Sequence, residues 1–176
     1  MAINPVSAIR RRADLAKLRE LQVRMPHALS ILGVSGDPPQ SIKLRITIPT
    51  AKNVSYPQVR QEVSEVEILL PERYPFPPGP TVTISTPIWN PNVYVGGRWC
   101  FGDWNVTENL ELFVIRLMKV IALDPVIINP QSAANAEAAK WFVLQRGRNP
   151  ELFPTVALSG LIGKVPGPSI TWRSIK

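Results

Sequence analysis

Residues 90–100 read Asn-Pro-Asn-Val-Tyr-Val-Gly-Gly-Arg-Trp-Cys, and the stretch closes on the single cysteine of the chain. Pro91 confines Asn90 to extended backbone, and an asparagine after proline suits a turn, so the Asn92 amide is held and does not fluctuate. Gly96 and Gly97 let the chain double back. A return after a few residues sets Cys100 beside Asn92, an amide donor next to a thiol whose acyl chemistry would generate an oxyanion. A lone cysteine is, more plainly, also a small buried hydrophobe. The sequence on either side decides between the two.

Upstream, the spacing predicts a helix followed by four strands. Asn4 is a good N-cap, Pro5 fits the first helical position, and Ile9, Ala13, Ala16, Leu18, Leu21 and Met25 fall near helical spacing until Pro26 ends the run. Arg10, Arg11, Arg12, Lys17, Arg19 and Arg24 leave most of the outer surface of that helix positive, either as a solvated face or as a dock for an acidic partner. Strands are expected at 28–34, 41–48, 62–70 and 81–85, the second alternating Ile42, Leu44, Ile46 and Ile48 with polar residues. The third has a less clean register, which suggests a bulge near Glu65. Short links make a meander. Between the last two strands, Pro71-Glu72-Arg73-Tyr74-Pro75-Phe76-Pro77-Pro78 holds four prolines and cannot join a sheet ladder. Its stiffness fixes Tyr74 and Phe76, whose rings either plug the end of the sheet or, for Phe76, meet a partner.

Downstream, Thr107 reads as the cap of a helix whose stripe is Leu110, Phe113, Val114, Leu117, Met118 and Ile121, ending near Asp124-Pro125. Another helix is expected from Asn129 as cap, with Pro130 first, through Trp141 and Phe142 to Gly147. Residues 1–148 form one domain in this reading, and 149–176 an arm or tail. Leu152, Phe153, Val156, Leu158, Leu161 and Ile162 are too apolar for a purely solvated tail, so 150–163 is expected to pack on the domain or a partner.

Composition narrows the function. At 176 residues, with 45% hydrophobic and 19% charged residues, the chain reads as globular. One cysteine and one histidine, His27, exclude a disulfide framework and a Cys/His zinc cluster. The absence of a spanning apolar run or a signal-peptide core argues against membrane attachment and points to a reducing cytoplasm. The net charge of +7 sits at the ends: residues 1–25 hold six basic and two acidic residues, 26–142 nine and ten, and 143–176 five and one. A nucleic-acid binder would more often carry a basic stripe interleaved with exposed aromatics through its body, so nucleic acid is disfavoured.

The order of these features resembles the ubiquitin-conjugating enzyme family, an α+β fold with an N-terminal helix, a four-stranded antiparallel meander, an active-site loop and C-terminal helices. Tyr74-Pro75-Phe76-Pro77-Pro78 looks like the family's loop before the fourth strand, with Gly79-Pro80 as a local departure. Asn90-Pro91-Asn92 stands where the family has His-Pro-Asn, and Asn92 and Cys100 have the family's spacing. Trp104 matches the tryptophan after the catalytic cysteine, and Leu123-Asp124-Pro125 resembles the ending of the next helix. The match covers residues 5–147. It implies that Cys100 takes a ubiquitin-like protein from an activating enzyme as a thioester and passes it to an acceptor amine. Asn92 either stabilises the oxyanion or braces the loop. It also implies that no metal or small cofactor is needed, that the first helix with Arg10, Arg11, Arg12 and Lys17 faces the activating enzyme, and that Phe76 and Trp104 meet a ligase.

Three departures qualify the transfer. Asn90 replaces a largely structural histidine, the link from Cys100 to Trp104 is short, and residues 126–132 hold no acidic residue to orient the incoming lysine. Asn129 and Ser132 occupy that neighbourhood, Asp103 is the alternative, and His27 is expected in the first strand, away from the site. The divergence and the long arm look more like bacterial relatives that accompany ubiquitin-like proteins, some in antiviral defence operons. Against the carrier stands a second reading, the same fold as an inactive binding or scaffold module for a ubiquitin-like protein.

Overall fold

The computed structural model describes residues 4–153 and residue 155. The order is α1 (Pro5–Arg24), β1 (Leu29–Ser35), β2 (Ser41–Ile46), β3 (Thr50–Ala51), β4 (Arg60–Gln61), β5 (Ser64–Leu69), β6 (Thr81–Ile84), α2 (Leu110–Ile121) and α3 (Ala136–Arg148). β1-β2-β5-β6 is the expected antiparallel meander, and β3 pairs with β4 in a small second sheet outside the four expected strands. Ile42, Leu44, Ile46, Val66, Ile68, Val82 and Ile84 turn inward from the four-stranded sheet, and Leu110, Phe113, Val114, Leu117, Met118 and Ile121 of α2 enter the same core. Burying an aliphatic or aromatic side chain of this size contributes about 1.5–3 kcal/mol, so sheet and α2 hold each other.

Several local readings need correction. The bulge lies in β1, where the register shifts between Ile31 and Gly33, while β2 and β5 pair evenly past Glu65; Gly33 has no side chain to hold a strand register. Asn109, not Thr107, caps α2, its Oδ1 accepting from Leu112 N–H at 2.9 Å. The helix expected from Asn129 to Gly147 is two. Asn129 caps one 3-10 turn, Pro130–Ser132. The chain then leaves helical geometry so that Ala134 and Asn135 N–H reach the Pro91 carbonyl at 2.8 and 3.1 Å, and Asn135 caps α3. His27 is exposed in the turn before β1, not in the strand.

In α1, Asn4 caps with Oδ1 accepting from Val6 N–H at 2.8 Å, as the sequence suggests. Its buried face differs. Ile9 is 68% exposed and Ala13 and Ala16 are exposed, while Ser7, Arg11 and Asp14 join Leu15, Leu18 and Leu21 inside. Polar groups can lie there because each finds a partner. Asp14 accepts from Arg10 Nε and from the Tyr74 hydroxyl. Arg11 donates to Ser7 Oγ and to the carbonyls of Pro39, Leu70, Pro71 and Glu72. The proline-rich loop is thereby fastened to α1. Beyond α3, Phe153 is 3% exposed, with its ring 5.0 Å from that of Phe142. Of the segment 150–163 expected to pack, 154 and 156–163 lie outside the described residues.

Candidate active site

Pro91, Asn92 and Val93 are buried at the base of a hairpin. Val93 bridges Trp99, Tyr94 N–H donates to Arg98 O at 2.9 Å, and Gly97 N–H donates to Tyr94 O at 2.8 Å. The hairpin docks on β6 through Ile84 N–H to Gly97 O at 2.8 Å and Trp99 N–H to Val82 O at 3.0 Å. Gly97 has φ +84°, and a Cβ there would lie 2.1 Å from the Ile84 carbonyl oxygen, so only glycine fits the contact. The return brings Cys100 back to Asn92: Cys100 N–H donates to Asn92 O at 2.8 Å.

The side chains beneath that return are fixed. Asn90, fully buried, donates from Nδ2 to Val120 O at 2.7 Å and accepts Asn92 N–H on Oδ1 at 2.9 Å, tying the turn to the end of α2. Asn92 Oδ1 accepts from Asn129 N–H at 3.1 Å. Its Nδ2 has no acceptor among the described residues. Cys100 is half-buried and lines a cavity of about 180 Å³ with Asn92, Trp99, Arg116, Asn129 and Ser132. An amide N–H₂ and a thiol on the wall of one cavity suit acyl transfer, in which charge develops on a carbonyl oxygen next to sulfur.

The structure sorts the other candidates. Asp103 is exposed and is not among the residues lining this cavity. Arg11 is 1% exposed, which overturns its place on an outer docking face, and Arg10 is occupied by Asp14 and the carbonyls of Val106 and Glu108. Arg12 and Lys17 are exposed. Phe76 is 49% exposed on the proline-rich loop. Trp104 donates Nε1–H to Pro75 O at 2.6 Å and lies against Tyr74 and Phe113, so it joins the loop after Cys100 to the one carrying Phe76. The Gly79 departure has its reason here: a Cβ would stand 2.4 Å from Trp104 Cγ. Burial, and then the Asp14 carboxylate that accepts its hydroxyl hydrogen bond, push the Tyr74 phenol well above its usual range.

Arg116 was missed. Its Nη1 donates to Phe101 O at 3.0 Å, its Nη2 to Glu108 Oε2 at 2.8 Å, and its guanidinium lies over the rings of Trp99, Phe101 and Phe113. The signal was present, because 116 follows Phe113 by three and precedes Val120 by four, placing a cation on a helix face that should be apolar.

An N-terminal helix, a four-stranded meander, a hairpin-borne cysteine and a helix across the sheet define the architecture of ubiquitin-conjugating proteins. S. cerevisiae Ubc12 shares it with a TM-score of 0.59 at 18% identity, over 82% of this chain and 74% of that one. The family model described as ubiquitin-conjugating enzyme matches residues 14–152, and the chain belongs to that family. Among its relatives, human ubiquitin-conjugating enzyme E2 T is 30% identical over 114 residues, 60% of this chain and 54% of that protein. Ubiquitin-conjugating enzyme E2 14 of Arabidopsis thaliana is 34% identical over 87 residues, covering 40% and 49%. The ubiquitin-conjugating enzyme E2 of African swine fever virus, strain Badajoz 1971, is 28% identical over 90 residues, covering 44% and 40%. The chain spans about half the length of the curated relatives it matches. No helix among the described residues is long and apolar enough to cross a membrane.

Proposed function

We propose that the protein is a thioester carrier for a ubiquitin-like protein. The observation that carries this reading is Cys100 on the wall of a cavity shared with the Asn92 amide, whose oxygen is already taken by Asn129 N–H. Cys100 as thiolate attacks the thioester joining the modifier's C-terminus to an activating enzyme and releases that enzyme's thiol. An acceptor amine, in the family usually a lysine, then attacks the carbonyl. Asn92 Nδ2 donates to the oxyanion, the amide forms and Cys100 leaves. In this reading Asn90 and Pro91 hold the turn, Asn129 orients Asn92, and Asp103 has no part.

The partners follow from exposure. Arg12 and Lys17 of α1 present cations to an activating enzyme, and Phe76, braced through Trp104, presents an apolar ring to a ligase or target. Cytoplasmic residence fits a reactive lone thiol. The bacterial, antiviral setting rests on the sequence resemblance alone.

A second reading, a binding or scaffold module for a ubiquitin-like protein, is favoured by one observation: among the described residues, no acidic side chain lines the cavity to orient an amine. Intact-mass measurement of Cys100→Lys purified from the native host separates the two. A carrier yields an adduct of small-protein mass held by a stable amide. A folded variant without adduct, in cells shown to contain modifier and activating enzyme, supports the module.

A further inference from the structure

Backbone pairing holds Cys100 on one side only. Its N–H donates to Asn92 O at 2.8 Å, and the hairpin before it is closed by the bridge of Val93 to Trp99. After it the chain leaves the hairpin, and among the described residues the backbone of 101–104 makes no hydrogen bond to other backbone. Gly102 has φ +78°, and a Cβ there would meet nothing within 4 Å, so close packing does not fix the link at that point either. A thiol at the head of such a link needs a side chain to set its direction.

Arg116 meets both neighbours of that thiol. Its Nη1 donates to the carbonyl of Phe101, the residue after Cys100, at 3.0 Å, while Glu108 Oε2 holds Nη2 at 2.8 Å. The guanidinium carbon lies 5.4 Å from the ring centroid of Trp99, the residue before Cys100, and 5.4 and 5.9 Å from those of Phe113 and Phe101. Glu108 is anchored in turn from α1, where Arg10 Nη2 donates to its carbonyl at 2.7 Å. Stability alone does not call for a cation here. An apolar side chain would pack among three aromatic rings without desolvating a charge, and replacing a buried ion pair by such packing is often neutral or stabilising. What the guanidinium adds is direction, in two donors at a fixed spread.

Resting on the carrier reading above, we propose that Arg116 is a positioning residue for Cys100: aligned by Glu108, it fixes the Phe101 carbonyl and so keeps the sulfur in line with Asn92 Nδ2. It touches neither modifier nor acceptor, and its effect falls on steps that pass through an oxyanion. In charging, the Cys100 thiolate adds to the donor thioester carbonyl, the oxyanion collapses, and the activating enzyme's thiolate leaves. Alkylation of the same sulfur forms no oxyanion.

Two reactions of Cys100 in the full chain, each timed by intact mass, therefore separate position from folding: acylation by the mercaptoethanesulfonate thioester of N-acetylglycine, and alkylation by iodoacetamide. The ratio of the two rate constants is the readout, because both depend on the same thiolate fraction. Arg116→Met is expected to lower the ratio about tenfold, the cost of a small misplacement. Arg116→Lys, whose ammonium still reaches for the Phe101 carbonyl, restores part of it. The loss disappears in an Asn92→Asp background, where a sulfur out of line has no donor left to miss. If Arg116→Met does not fold, Glu108→Ala loosens the fork from its other end and is expected to lower the ratio about threefold. Arg11→Leu, altered at a buried arginine away from Cys100, keeps the wild-type ratio. A ratio unchanged in the folded variants, a loss as large with Asn92→Asp as without it, or an equal loss in Arg11→Leu leaves Arg116 a purely structural part and overturns the proposal. Failure of wild-type Cys100 to take up the acyl group overturns the carrier reading and this inference with it, and is seen before any variant is made.

Discussion

Asn129 N–H donates to Oδ1 of Asn92 at 3.1 Å, and this bond decides which end of the Asn92 amide is free for chemistry. A backbone N–H can pair only with the oxygen, so the nitrogen is left without a protein acceptor among the described residues. Asn92→Asp keeps the bond from Asn129 and replaces the free donor with a carboxylate oxygen. Discharge of a Cys100 thioester in single turnover is therefore expected to fall about 10²-fold or more, with the melting temperature within a few degrees of wild type. A loop brace would behave differently: Asn92→Asp would discharge normally, and Asn92→Ala alone would lose activity together with stability.

Gly97 and Gly96 are adjacent but not equivalent. Gly97→Ala drives a methyl into the Ile84 carbonyl at a positive φ, whereas a Cβ at Gly96 meets nothing within 4 Å. Urea denaturation is expected to show a loss of about 2–4 kcal/mol for Gly97→Ala and about 0.5 kcal/mol or less for Gly96→Ala. Because Gly97 seats the hairpin on β6, the reactivity of Cys100 toward iodoacetamide should change in the first variant and not in the second. Equal stabilities would remove the docking role.

How far the sequence reached depended on range. The meander, the α2 stripe and the return of Cys100 to Asn92 were legible because alternation, helical period and turn chemistry are local signals. The break between Ser132 and Asn135 was not, because its cause, the Pro91 carbonyl, lies about forty residues away in the chain. The buried face of α1 was misread for the same reason. Arg11 and Asp14 look like solvated charges until the carbonyls of the proline-rich loop and the Tyr74 hydroxyl are placed against them. Arg116 broke the local pattern visibly, but a helix stripe read as core hides the one position that departs from it.

Tyr74 links α1 to the loop carrying Phe76 through a phenol whose pKa is raised by burial and by Asp14. With a folded value above the unfolded value of about 10, the folded chain keeps the proton after the unfolded chain has lost it. Stability from this group is complete below about pH 10 and falls as pH rises beyond it, with a slope of up to about 1.4 kcal/mol per pH unit. Chemical denaturation between neutral and strongly alkaline pH should show that slope in wild type and a shallower one in Tyr74→Phe, which removes the titrating hydroxyl. Parallel curves would contradict the assignment.

Arg11 and Arg12 separate stability from recognition on the same helix turn. Arg11 is buried with its guanidinium spread over four carbonyls, so Arg11→Leu strips donors from them, those of buried Pro39 and Leu70 included. A loss of about 2–4 kcal/mol in stability is expected. Arg12 is exposed and paired with exposed Asp37, a surface pair of about 0–1 kcal/mol, and Lys17 is exposed as well. Arg12→Ala with Lys17→Ala should leave denaturation nearly unchanged and slow charging of Cys100 by an activating enzyme, most at low ionic strength, where exposed charges steer association. Charging that is unaffected at every salt concentration would move the activating-enzyme surface off this face of α1. Charging by the folded fraction of Arg11→Leu should stay near wild type, because its guanidinium faces the protein and not the partner.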